Sequence, residues 1–121
     1  MLNSLKVISV AVLVLVAQFA SADAHQVYLA ADEAYSYARR ACNADGLEDV
    51  QYYAKRTMNA VESVLFIAVS DSGYVRTLAQ YVYDLARKAY RSGDFDDAIY
   101  YMRKAKSSAS DLMSAALIMQ D

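Results

Sequence analysis

Apolar residues recur along this chain at alternating intervals of three and four. Leu47, Val50, Ala54, Thr57, Val61, Val64 and Ala68 form one such series. Phe95, Ala98, Met102, Ala105, Ala109, Leu112, Ala116 and Met119 form a second. Val75, Leu78, Val82, Leu85 and Ala89 form a third, and Val27, Ala30, Ala34, Tyr37 and Ala41 a fourth, richer in alanine. This spacing places one apolar stripe on one face of an α-helix. The series break at "NADG" (43–46), "SDSG" (70–73) and "RSGD" (91–94). Four helices are therefore expected near 25–42, 46–69, 73–91 and 95–119. Short connections make successive helices antiparallel neighbours. Asp45 with Glu48, and Asp94 with Asp97, have the spacing of capping boxes.

The pattern occurs twice. Residues 27–68 laid over 75–116 without a gap give ten identities: Val27/Val75, Ala31/Ala79, Tyr35/Tyr83, Ala38/Ala86, Arg39/Arg87, Ala41/Ala89, Asp49/Asp97, Tyr52/Tyr100, Tyr53/Tyr101 and Ala68/Ala116. Conservative pairs such as Arg40/Lys88, Leu47/Phe95, Lys55/Arg103 and Val64/Leu112 strengthen the match. The chain reads as two copies of one helix–turn–helix unit. The expected fold is all-α, an up-down-up-down four-helix bundle built from the duplicated units. The alternative is a short stack of helical hairpins.

The stretch "LARKAYRSGDFDDAIYYMRKA", 85–105, resembles a tetratricopeptide repeat. Leu85, Ala86, Tyr90, Gly93, Phe95, Ala98, Met102 and Ala105 stand near that family's consensus places. The first unit matches less well, with Asp45 and Val50 where the family prefers Gly and Ala. The internal period of 48 exceeds the family's, and the Pro at the repeat end is absent. The resemblance implies a protein-binding scaffold of stacked hairpins.

The first two dozen residues read differently. Lys6 precedes the uncharged run "VISVAVLVLVAQFA", 7–20, and Ala22 and Ala24 follow with A-x-A spacing. That order is a secretory signal peptide, and the run is shorter than the roughly 20 apolar residues of a membrane span. Residues 1–24 are expected to be removed on export to the periplasm or the extracellular space, leaving 25–121 as a single helical domain. Membrane contact is expected only if the signal segment is retained. N-terminal sequencing of the exported protein should begin at His25, or at Asp23 for cleavage after Ala22; recovery of Met1 would contradict export with cleavage.

Beyond the leader, 11 basic and 13 acidic residues leave a formal charge of −2, with no basic block. That balance argues against nucleic-acid binding. The chain has no Pro and three Gly, which favours long helices and tight turns. Cys42 is the single cysteine, so it is a free thiol or makes an intermolecular disulfide. His25 is the single histidine. The sequence has neither a Glu-x-x-His motif for a di-iron bundle nor Cys-x-x-Cys-His for covalent haem. No cofactor and no enzymatic activity are expected.

Basic doublets (Arg39–Arg40, Lys55–Arg56, Arg87–Lys88, Arg103–Lys104) and acidic doublets (Glu48–Asp49, Asp96–Asp97) recur at matching places. They suit the helix dipoles and are expected to face each other across the turns. Tyr52–Tyr53 and Tyr100–Tyr101 recur in the same way and offer an aromatic surface suited to an interface. "VLFIAV" (64–69) is apolar on every side, and "AALIM" (115–119) is expected at the same end of the bundle. Val64, Leu65, Phe66, Ile67, Leu117 and Ile118 are accordingly the candidate interface, since extra apolar surface needs extra cover. The expected function is non-enzymatic: an exported helical protein that self-associates or binds another envelope protein. The alternative is a carrier holding a small apolar ligand or haem between the helices at the apolar end of the bundle.

Overall fold

The structure, a computed structural model, describes residues 24–67 and 73–120. Residues 1–23 of the proposed signal peptide, the 70–72 part of the second break, and Ala68, Val69 and Asp121 lie outside the described residues. The described chain is four helices: α1 (24–42), α2 (Leu47–Ile67), α3 (Gly73–Arg91) and α4 (Phe95–Gln120). Among the described residues there is no strand, and no helix is long and apolar enough to cross a membrane.

The buried residues fall into two clusters, and their membership gives the topology. One unites Val27 and Ala34 of α1, Val61 and Val64 of α2, Val75 and Val82 of α3, and Ala109 and Leu112 of α4. The other unites Ala38 and Ala41, Val50 and Ala54, Ala86 and Ala89, and Ala98 and Met102. The start of each odd helix thus meets the end of each even one, which is an up-down-up-down bundle. α3 packs extensively on both α2 and α4, while α2 and α4 touch much less, as diagonal partners do. α1 and α4 share both buried clusters, Val27 and Ala34 with Ala109 and Leu112, and Ala38 and Ala41 with Ala98 and Met102. The ring α1–α2–α3–α4 is closed.

The duplication is visible in the core. Positions 27, 31, 34, 38 and 41 of the first unit, and 75, 79, 82, 86 and 89 of the second, are all buried. So are 50, 54, 57, 61 and 64, and their counterparts 98, 102, 105, 109 and 112. The spacing is 4,3,4,3 on every helix, the repeat that keeps one seam facing its neighbours in a bundle.

Two seams differ from expectation. Tyr37 and Leu85, equivalent positions in the two units, are only partly buried; Ala38 and Ala86, one residue on, are fully buried. One step along a helix turns about 100°. Alanine at the seam lets the axes approach closely, and the larger side chain moves to the rim. Sixteen of the 27 buried apolar residues described are alanines, so the core is thin, with Met102, Leu112 and the valines as its largest fully buried members.

The turns also correct an expectation. The amide of Val50 donates to the Gly46 carbonyl at 3.1 Å, and that of Ala98 to the Asp94 carbonyl at 3.0 Å. Gly46 and Asp94, not Asp45 and Asp94, are therefore the equivalent N-cap positions. In the second turn the Asp94 amide donates to Ser92 Oγ at 3.2 Å. Gln51 Nε2 donates to the Ser92 carbonyl at 2.9 Å, tying α2 to the 91–94 turn and fixing both turns at one end. Gly46 has no positive φ and no atom within 4 Å of where a Cβ would stand. Gly46→Asp should therefore raise stability by about 0.5–1 kcal/mol, through a less flexible unfolded chain and a better cap. Urea titration reads this as a higher midpoint at an unchanged slope.

Thr57 is the one buried polar residue among those described. Its hydroxyl donates to the Tyr53 carbonyl one turn back at 2.8 Å, so its burial leaves no orphaned group.

Candidate interaction faces

Closing the bundle leaves two hairpin faces outside, and each carries the same groove. The groove between α1 and α2 encloses about 530 Å³ and is lined by Glu33 and Tyr37 on α1 and by Arg56, Asn59 and Ala60 on α2. The groove between α3 and α4 encloses about 490 Å³ and is lined at the matching positions by Tyr81, Leu85, Lys104, Ser107 and Ser108. Both are open to solvent. Duplication has produced one surface feature twice, with different side chains.

The basic residues of these faces sit on tyrosines. Arg56 lies 5.3 Å from the ring centre of Tyr52 and donates to its hydroxyl from a terminal guanidinium nitrogen at 3.1 Å. The equivalent Lys104 lies 4.6 Å from the ring of Tyr100. Lys88 lies 5.8 Å from Tyr101 across the α3–α4 seam, and Lys55 lies 5.4 Å from Tyr90 across the α2–α3 seam. Tyr37 stacks on Tyr53 at 6.5 Å, and Arg40 caps Tyr37 at 5.7 Å. Where Leu85 replaces Tyr37 in the second unit, Lys88 reaches Tyr101 directly. The expected pairing of bases with acids across the turns is not found: no ion pair links these doublets among the described residues. A tyrosine face one helical turn away is nearer to a long cation than a carboxylate beyond a turn. Each such contact stabilises by about 0.5–1 kcal/mol at an exposed site. The hydrogen bond that Arg56 donates to Tyr52 is also the main cause that raises the Arg56 pKa.

The tyrosine doublets divide in the same way in both units. Tyr52 and Tyr100 are exposed, while Tyr53 and Tyr101 are partly buried against the core. Within each doublet the rings meet edge to face, at 5.2 Å and 5.6 Å.

The six residues of the expected apolar interface separate. Val64 is fully buried and belongs to the core, and Leu65 is partly buried against it. Phe66 is 75% exposed and Ile118 73% exposed; Leu117 is exposed as well. The side chain of Ile67 lies outside the described residues. Phe66 and Ile118 do not share one end patch. Phe66 follows Tyr52 and Asn59 at intervals of seven, which places it on the α1/α2 face. Ile118 follows Lys104 and Asp111 at the same interval, which places it on the α3/α4 face. This interval-of-seven count was available in the sequence; that the two stripes look away from each other required the order of the helices in the ring.

Cys42 is half-buried at the end of α1. Burial pushes its thiol pKa up, and Lys106 and Arg103 offset this only in part. Such a thiol is a weak nucleophile and a reluctant disulfide partner at neutral pH. A colourless disulfide reagent should modify the folded protein several-fold more slowly than the urea-unfolded chain at neutral pH. The gap should narrow as pH rises through the elevated value. By linkage, the contribution of the protonated thiol is complete below the ordinary thiol pKa and is lost as pH climbs through the raised one. Equal rates at neutral pH would contradict the burial.

Among the described residues no group of three His, Cys, Asp or Glu side chains is placed to hold a metal ion. No protein-family model matches the chain, and no curated protein and no solved structure matches it.

Proposed function

We propose that this chain is an exported, non-enzymatic helical protein that works by presenting its outer faces to protein partners. The observation that carries the reading is the exposure of Phe66 and Ile118, three-quarters open to solvent on a bundle whose core is already closed without them. Leaving such a side chain exposed forgoes about 1.5–3 kcal/mol of burial, and Leu29, Tyr52, Tyr81 and Tyr100 add to the exposed surface. Tyrosine with a cation over its ring is the composition of interface centres. The tetratricopeptide resemblance at 85–105 points the same way. Export rests on the order of Lys6, the apolar run and the A-x-A site.

A carrier of a small apolar ligand would use space between the helices. Here the seams meet through alanine, and the single buried polar residue described is satisfied by its own helix. The outer faces have the unsatisfied surface.

The test is site-specific photocrosslinking in the native envelope, with a photoreactive phenylalanine analogue in place of Phe66 or of Ile118. Discrete protein adducts at either position are the expected result. Adducts to lipid alone, or none, would sink the reading.

A further inference from the structure

We draw no further inference here: the strongest candidate, the open groove of about 630 Å³ where the end of α3 meets the start of α4, sets Arg87, Lys88 and Arg91 beside Asp84 and Asp97 in a wall of mixed charge, and nothing in the structure shows what it would hold.

Discussion

Leu112→Ala should lower the stability of the mature domain by about 3 kcal/mol and its melting temperature by roughly 12–24 °C. Leu112 is fully buried, and it and Met102 are the largest side chains in the core to be so. It stands where all four helices contribute to one cluster. Three of the surrounding positions on its own helix, 109, 115 and 116, are alanines. Alanine has no rotamer through which to fill a gap, so the cavity stays open and its cost adds to the lost transfer energy. A domain of about 100 residues has little stability to spare, and the change should be plain in a thermal melt. The duplication supplies a control. Val64 holds the equivalent place in the first unit and is equally buried. Val64→Ala removes two methyl groups rather than an isopropyl group and should cost about 2 kcal/mol.

Ala86→Leu should cost about 2–3 kcal/mol, at the upper end for an overpacked core, and should broaden the unfolding transition. Ala86 is fully buried in the cluster that also holds Ala38, Ala54 and Met102. A leucine there must push two helices apart, and neighbouring alanines cannot shrink to receive it. Leu85→Ala, one residue earlier and partly buried, should cost only about 1 kcal/mol. The order of these two effects tests the register of α3. Were Leu85 in the seam, truncating it would be the damaging change and enlarging Ala86 would be tolerated at the surface.

That register is where the sequence was least legible. Hydrophobic spacing identified four helices, their turns and their antiparallel order, because valine, leucine and methionine at intervals of three and four leave little choice of face. It also exposed the paired pattern of the two units, and ten paired positions are buried in both. It misplaced the seam at Tyr37 and Leu85 because alanine carries little hydropathy, and a larger apolar neighbour outweighs it. Only the close approach of two helices makes alanine the better seam residue. The cap of α2 was misread for a related reason: Asp45 is the residue that caps by type, but Gly46 is the one in register. Charge alone pairs the cations with acids, whereas in the fold they meet tyrosine faces one turn away or across a helix seam. For the apolar candidates, the run 64–67 hid the difference between Val64, turned inward, and Phe66, turned outward. Spacing along one helix separates those two. The assignment of Phe66 and Ile118 to opposite faces depends on how four helices close into a ring.

The claim that this protein acts through its outer faces and not through its interior meets its most direct test in native mass spectrometry of the mature chain purified from its own host. The account predicts the mass of the polypeptide alone and of complexes built from whole protein chains. A monomer carrying one constant additional mass of a few hundred daltons, released on unfolding, would place a small ligand between the helices and contradict it.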